Sequence, residues 1–339
     1  MKPTQKTLIA AVLLALFSSV AMAQSKSNVT VQDLNQNQTG SNNAQELDLG
    51  NAKDGGKSNV RIDQLNQSQG GDGNRQELSI GNASGKNSQS NVRIQTLNQN
   101  QSGTNNTQKA SIGDASGGGK SDVTINNANQ SQTGGDGNRQ YLEVGKASGP
   151  NGRSEVDIQN LRQAQTGGRD NVQALSVGEA SNGKSDVSVQ NLEQRQLGGN
   201  GNRQNLTVGK SSNGGESRVN IQNINQTQAG GDGNSQSASI GSASNGGKSN
   251  VSLKNVNQTQ TGTGNTQDLH VGDATGKGSV ATVTGGDINQ RQSGTGNTQK
   301  LNIGSASGGG QSNVHIGGSV NQTQGGTGNS QKANIGNAN

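Results

Sequence analysis

The stretch LNQNQTGSNNAQELDLG, residues Leu34–Gly50, is rich in side-chain amides yet has aliphatic residues near both ends. It contains three glutamines and four asparagines. Read with a period of two, Leu34, Gln36 and Gln38 share one face, and alternate residues share a face again from 43 to 49. This alternation is typical of β-strands, whose successive side chains point to opposite sides. The stretch therefore predicts two strands joined by a turn, with amides beside the turn.

The same unit recurs in ten copies at intervals of 31 to 33 residues. Four amide positions recur in every copy, and each defines a column named after its first residue. The Gln36 column is Gln36, Gln67, Gln99, Gln130, Gln163, Gln194, Gln226, Gln258, Gln290 and Gln322. The Gln38 column is Gln38, Gln69, Gln101, Gln132, Gln165, Gln196, Gln228, Gln260, Gln292 and Gln324. The Asn43 column is Asn43, Asn74, Asn106, Asn138, Asn171, Asn202, Asn234, Asn265, Asn297 and Asn329. The Gln45 column is Gln45, Gln76, Gln108, Gln140, Gln173, Gln204, Gln236, Gln267, Gln299 and Gln331.

Stacking makes these amides compatible with a folded interior. A single buried amide without a partner costs roughly 1–3 kcal/mol. Each amide has a donor end and an acceptor end, so identical amides stacked in register can satisfy one another. We therefore predict an all-β solenoid with two strands per rung, about ten rungs and in-register Asn/Gln ladders. It covers residues 24–339 as a single repeat domain, and a strand spacing of about 4.8 Å makes it roughly 48 Å long.

Aliphatic and glycine positions complete the repeat. Most copies place three aliphatic residues before the amides, as in Val29, Val31 and Leu34. The step from Val31 to Leu34 is three residues, which predicts a bulge that keeps all three on one side. A glycine follows the second strand in every copy, beginning with Gly50, and indicates a turn.

Composition alone favours disorder, since 24% of residues are hydrophobic and 1% aromatic. The net charge of only +5 and the tight repeats argue against that interpretation. One Tyr and one Phe cannot form a base-stacking platform, so we expect no nucleic-acid partner. His270 and His315 occupy outward strand positions, and we predict no catalytic residue, metal site or cofactor. The GGDGN turns resemble fragments of calcium-binding repeats, but half of the copies lack the acidic residue.

The first 23 residues have the three parts of a secretory signal peptide. Two lysines precede an apolar run, and Ala21-Met22-Ala23 is a small-x-small cleavage signal before Gln24. We therefore predict cleavage between Ala23 and Gln24, export, and no membrane span in the mature chain. The sequence has no cysteine, so no disulfide can stabilise the exported protein.

Two of the turns resemble a known repeat. QTGTGNTQ (residues 260–267) and QSGTGNTQ (residues 292–299) resemble the Q-x-G-x-G-N-x-A core of curlins, the secreted subunits of bacterial curli amyloid fibres. The resemblance extends over all ten copies. It implies one two-strand rung per repeat, stacking within and between subunits, and a role in surface adhesion and biofilm matrix. It also implies an outer-membrane secretion pore, a chaperone and a nucleator protein as partners.

Two other interpretations remain open. Another secreted amyloid family with Asn/Gln repeats, of the Fap type, has most of the same physical features. Alternatively, the chain could be a monomeric secreted β-solenoid that acts as an adhesin or binds a glycan or another surface. For a fibre subunit, we expect open strand edges at both ends of the stack, which direct head-to-tail joining. We also expect a Gly pair inserted in the ninth and tenth copies, and mutual repulsion between Asp72, Asp136 and Asp232.

Overall fold

The structure, a computed structural model, describes residues 25–149, 151–213 and 215–338. The predicted signal peptide and its cleavage site between Ala23 and Gln24 lie outside the described residues. Within the described chain every regular element is a β-strand, and the strands form two parallel sheets.

The two sheets take alternate strands of the chain. In spatial order the first sheet contains β1 (Lys26–Asn37), β3 (Lys57–Ser68), β5 (Gln89–Gln101), β7 (Lys120–Gln132), β9 (Arg153–Gln165), β11 (Lys184–Gln196), β13 (Glu216–Gln228), β15 (Lys248–Gln260), β17 (Val280–Arg291) and β19 (Gln311–Ile316), with β20 (Val320–Thr323) also paired to β17. The second sheet contains β2 (Gln45–Leu49), β4 (Gln76–Ile80), β6 (Gln108–Ile112), β8 (Tyr141–Ala147), β10 (Ala174–Ser181), β12 (Gln204–Ser212), β14 (Gln236–Ile240), β16 (Gln267–Ala274), β18 (Gln299–Ala306) and β21 (Gln331–Asn337).

Each strand of the first sheet and the following strand of the second sheet form one rung. Rung 1 is β1 with β2, and rung 10 is β19 and β20 with β21. Neighbouring rungs pair in register, so that Val29 lies beside Val60 and Gln36 beside Gln67. The predicted β-solenoid of about ten rungs is therefore confirmed, and its register follows the sequence repeat.

The predicted bulge in the first strand of each rung is also confirmed. In β1 the inward side chains are at alternate positions up to Val31, then Gln32 and Asp33 both face outward, and Leu34 turns inward again. In the interior rungs the same pattern buries the aliphatic residues almost completely, as with Ile62 at 1% and Leu65 at 0% exposure. These residues form one apolar core that follows the stack from rung to rung.

The repeated glycine has a conformational and a packing reason. In all ten copies its φ angle is between +66° and +75°, in the left-handed region that favours glycine. A Cβ atom on Gly50 would also overlap Cγ2 of Val60 in the next rung, and the glycines of the first nine copies all meet a valine in this way. Ser58 donates a hydrogen bond from its hydroxyl to the Gly50 carbonyl, and most other copies repeat this bond. Glycine and serine together form the corner between successive rungs.

Candidate functional site: the amide columns and the two end faces

The Gln36 column forms a continuous ladder along the stack. Within the described chain, nine bonds join its ten members, each from Nε2 of one glutamine to Oε1 of the preceding one, at 2.7–3.3 Å. In six copies the same nitrogen also donates to a main-chain carbonyl of the second sheet, as from Gln194 to Asn205 at 3.2 Å. In these six copies the glutamine donates to two acceptors and links the two sheets across the core.

The Asn43 column forms a second ladder beside the turn. Eight bonds of 2.8–3.1 Å connect the described copies from Asn43 to Asn297, again from the later residue to the earlier one. From Asn74 onward, Nδ2 also donates to a turn carbonyl three or four residues earlier, as from Asn202 to Gly198 at 3.0 Å. The ladder stops at Asn297, whose Oδ1 has no partner in the described structure.

The Gln38 and Gln45 columns correct the prediction that all four columns satisfy themselves. Both are stacked and, in the interior rungs, buried. In the described structure the Gln38 column has no bond between neighbours, and many of its buried amide atoms have no partner, as with both polar atoms of Gln196. In the Gln45 column the bonds between neighbours are a 3.4 Å contact from Gln140 to Gln173 and a 3.5 Å contact from Gln204 to Gln236. The strand spacing is the same in all four columns. The Gln38 and Gln45 columns therefore lack continuous ladders because of how their side chains are oriented.

Further ladders, which the sequence analysis did not predict, lie on the outer surface. Asn59 donates to Asn28, and Asn91 donates to Asn59, both at 2.8 Å. The other outer asparagine ladders are Asn35–Asn66–Asn98, Asn127–Asn160–Asn191–Asn223–Asn255 and Asn225–Asn257–Asn289–Asn321. The sequence signal that could have predicted these ladders is the recurrence of asparagine at the same position in successive repeats. These columns extend hydrogen bonding along the stack to the surface of the first sheet.

Asp114 follows Asn51 and Asn82 at one repeat position at the corner of the second sheet, so a carboxylate takes the place of an amide there. Oδ1 of Asn82 accepts a bond from the main-chain nitrogen of Asp114 at 3.1 Å, and Oδ1 of Asp114 accepts one from that of Lys146 at 3.3 Å. Burial raises the pKa of Asp114 to about 6, and the nearby charge of Glu143 adds to the shift, although the bond from the Ser111 hydroxyl opposes it. Ionisation of Asp114 at neutral pH therefore lowers the stability of the folded protein.

The outer face of rung 1, here called the head face, contains unpaired side-chain donors. Nδ2 of Asn43 is buried and has no partner in the described structure. Gln36 accepts bonds from Gln45 and Gln67, but donates none to another side chain in that part of the chain. The strands of rung 1 pair only with rung 2, so one edge of each is uncovered by any described strand.

The outer face of rung 10, the tail face, is the opposite end of the same ladders. Gln322 and Asn321 each donate back to rung 9, which leaves their acceptor sides toward the open end. Asn329 donates to the Gly325 carbonyl instead of to Asn297. Apolar side chains are uncovered as well, and Ile335 is 50% exposed. In the Gln36, Asn43 and outer asparagine ladders the later residue always donates to the earlier one, so the two ends of these ladders differ in hydrogen-bonding character.

The tail rungs also correct the predicted Gly insertion. In rung 9 nothing is inserted, because Gly285 occupies the aliphatic position of Leu253 in register. Ile316 of rung 10 fills the space beside it, since a Cβ on Gly285 would contact the end of the Ile316 side chain at 2.5 Å. Rung 10 alone has one extra residue between its aliphatic positions, and its first-sheet strand is split into β19 and β20. The irregularity therefore belongs to the tail rung.

The predicted repulsion between turn aspartates is wrong, because no two of them are neighbours. The residue stacked next to Asp136 is Arg169, with 3.8 Å between guanidinium and carboxylate. Asp72 accepts bonds from the main chain and hydroxyl of Ser41 in rung 1. Asp232 accepts a bond from Asn200 in the preceding rung. Each aspartate therefore has a compensating neighbour.

The two histidines lie on the outside, as predicted from their positions. His315 is exposed, and Nε2 of the half-buried His270 is 3.2 Å from Oδ1 of Asp268. The adjacent Asp268 carboxylate raises the pKa of His270 despite the opposing effect of burial. Among the described residues no group of three or more acidic or histidine side chains could hold a metal ion. The described residues also include no helix with the length and apolarity needed to cross a bilayer.

No family model, curated protein or solved structure matches this chain. The resemblance to curlins therefore rests on the turn sequences and on the repeat itself.

Proposed function

We propose that this chain is a secreted, non-enzymatic structural subunit that polymerises head to tail into curli-like amyloid fibres, which serve cell adhesion and biofilm matrix. The observation that carries the proposal is that the head and tail faces present the same amide residues at the same register positions. Each end of the stack is therefore a template for the opposite end of another copy.

The correspondence between the faces is specific. Continuing the register from rung 10 into rung 1 of a second copy places Asn28 beside Asn313 and Asn35 beside Asn321. The same step places Gln36 beside Gln322. In the Gln36 ladder the head face supplies the donor and the tail face the acceptor, so the joint would continue this ladder with its donor direction unchanged.

The symmetry of this contact favours a filament. A head-to-tail contact joins two different surfaces, and if the rotation does not close a ring it adds subunits without limit. Parallel strands with uncovered main-chain groups at both ends favour the same outcome, because soluble proteins normally protect such edges. Fibres joined in this way would have cross-β spacing throughout, inside subunits and between them.

The partners and location in the proposal come from the resemblance and the leader sequence. The signal peptide predicted before Gln24 supports export. By resemblance, an outer-membrane pore, a chaperone and a nucleator protein would deliver the chain and start the fibre at the cell surface. No nucleic acid is part of this proposal.

Purified protein tests the proposal directly. We expect monomer to convert to fibres that give a cross-β reflection at about 4.8 Å, and fibre fragments to seed fresh monomer. Lysine at Gln322, Gln324 and Gln331 should stop elongation while circular dichroism still reports the β-solenoid. The matched control, lysine at Gln163, Gln165 and Gln173, should unfold the subunit instead.

A wild-type protein that stays monomeric for days at high concentration would refute the fibre proposal. The alternative would then be a monomeric secreted adhesin or a glycan- or surface-binding solenoid. Identical behaviour of the two lysine variants would also contradict the proposal, because it would mean that the tail face has no special role.

A further inference from the structure

One column on the outside of the second sheet has its like-charged pairs at its two ends. In stacking order it is Glu46, Glu77, Lys109, Tyr141, Ala174, Asn205, Ser237, Asp268, Lys300 and Lys332. Two glutamates are neighbours at the head face, and two lysines are neighbours at the tail face. Like charges stacked at adjacent strand positions destabilise a sheet, so an isolated subunit has a repulsive pair at each end.

Inside the stack, the same column shows how such charges are compensated. Nζ of Lys109 in rung 3 is 3.1 Å from Oε1 of Glu77 in rung 2. Arg75 contacts the same carboxylate oxygen at 3.0 Å. Lysine and glutamate at adjacent places in this column can therefore reach each other without moving the strands.

The end members of the column have no such partner. Glu46, Lys300 and Lys332 make no ion pair within the described chain, and Glu46 and Lys332 are exposed. Continuing the in-register stack into a second copy would place Glu46 directly beside Lys332, as Glu77 is beside Lys109. The order across the joint would be two lysines followed by two glutamates.

We propose that Lys332 of one subunit and Glu46 of the next form an ion pair that selects head-to-tail polarity at the joint. This inference rests on the proposed fibre function and identifies the contact that orients its subunits. A head-to-head contact would join two faces that both carry Glu46, and a tail-to-tail contact would join two faces that both carry Lys332. Only the head-to-tail arrangement can pair Glu46 with Lys332.

The charge pairing is confined to the second-sheet flank of the joint. On the first sheet, Lys26 would lie beside Gln311 by continuation of the register. On the second sheet, Asp48 would lie beside Asn334. In both of these pairs the tail residue is neutral. Charge reversal at Glu46 or Lys332 is therefore expected to change the polarity of joining.

Complementary charge reversal provides the test. Glu46→Lys and Lys332→Glu each place like charges across the joint. At low salt, the protein concentration needed to form fibres should be roughly fivefold to tenfold higher for each variant alone than for the wild type. The increase is expected because each joint loses an exposed ion pair and gains a repulsion between like charges. In an equimolar mixture, every joint between unlike variants pairs a lysine with a glutamate. The mixture should therefore assemble at close to the wild-type concentration, with the two variants alternating.

Controls separate this inference from the function on which it rests. Ser237→Lys changes the charge of the same column in rung 7 and should assemble as the wild type does, and circular dichroism should report folded protein for every variant. At high salt the difference between variants should shrink. The ion pair would be overturned if the single variants assembled like the wild type at low salt. It would also be overturned if the mixture needed as much protein as its components alone. In both cases wild-type fibres would still support the proposed function. A wild type that forms no fibres would overturn both.

Discussion

Gln194 and Gln196 lie two residues apart on β11, point the same way and are both 0% exposed, yet their amides are in opposite states. Gln194 donates to Gln163 and accepts from Gln226, both at 2.9 Å, whereas neither polar atom of Gln196 has a partner in the described structure. Both belong to columns of ten identical residues. Repetition in register is therefore not sufficient for a ladder.

The second proton of the amide explains the difference. A stacked ladder uses one of the two N–H groups and the oxygen, so the remaining proton needs another acceptor. Gln194 finds the carbonyl of Asn205 across the core, and Asn202 finds the carbonyl of Gly198 in the turn. In the Gln38 column, Nε2 is without any partner in the described structure in seven copies: Gln69, Gln101, Gln196, Gln228, Gln260, Gln292 and Gln324. Most members of the bonded columns have such an acceptor outside the column, and Gln67, Gln99 and Gln258 keep the ladder without one.

The largest loss of stability is expected from Gln194→Leu. The substitution leaves Gln163 without its donor and Gln226 without its acceptor, both inside the core. We expect a loss of about 4 kcal/mol in the free energy of unfolding, because two buried polar groups become unpaired. Urea denaturation of freshly prepared monomer, followed by circular dichroism, measures it. A loss below about 1 kcal/mol would mean that the ladder contributes little to stability.

Asp114→Asn should have the next largest effect, with the opposite sign. Asn82 in the preceding rung shows the expected replacement geometry, because its Nδ2 donates to Ser79 at 2.6 Å while its Oδ1 keeps the main-chain bond. At pH 7 the variant should be more stable by about 2 kcal/mol, since it removes a buried charge.

The pH dependence of that gain has a definite sign. The pKa of Asp114 is raised to about 6 from 3.8 in the unfolded chain. Protonation therefore stabilises the wild type below pH 3.8, and this contribution is lost as the pH rises through 6. The advantage of Asp114→Asn should grow over the same interval and be small at pH 3.5. An advantage independent of pH would contradict the assignment.

Gln196→Leu is the matched partner of Gln194→Leu and should have a smaller effect. It replaces an unpaired buried amide with an apolar side chain of similar size, which is close to neutral or stabilising. We expect a change within about 1 kcal/mol in the same urea experiment. If Gln196→Leu proved as damaging as Gln194→Leu, the two columns would be energetically equivalent and the comparison would fail.

The smallest effect is expected on the surface. Asn191 belongs to an outer ladder and is exposed to solvent, which competes for its hydrogen bonds. Asn191→Ala should cost about 0.5 kcal/mol. Thermal unfolding of the variant beside wild type can resolve this, and a loss comparable to that from Gln194→Leu would place the outer ladders among the main determinants of stability.

The sequence was sufficient to predict the register, the two-strand rung, the bulge after Val31 and the buried amide columns. These features follow from period and repeat length, which are visible in one dimension. The state of each column was not predictable, because it depends on whether a carbonyl such as that of Asn205 lies across the core from Gln194. The compensation of Asp136 by Arg169 was missed for a related reason, since the two are neighbours only when successive turns are superposed.

Head-to-tail joining in register can be tested with engineered cysteines, because the chain has none of its own. Asn28→Cys and Asn313→Cys, both exposed, would be adjacent across the predicted joint at a strand spacing of about 4.8 Å, within disulfide range. Fibres of the double variant, oxidised and then denatured, should give a ladder of covalent multimers, and each single variant should remain monomeric. Covalent dimers from Asn28→Cys alone, or no multimers from the double variant, would contradict the account.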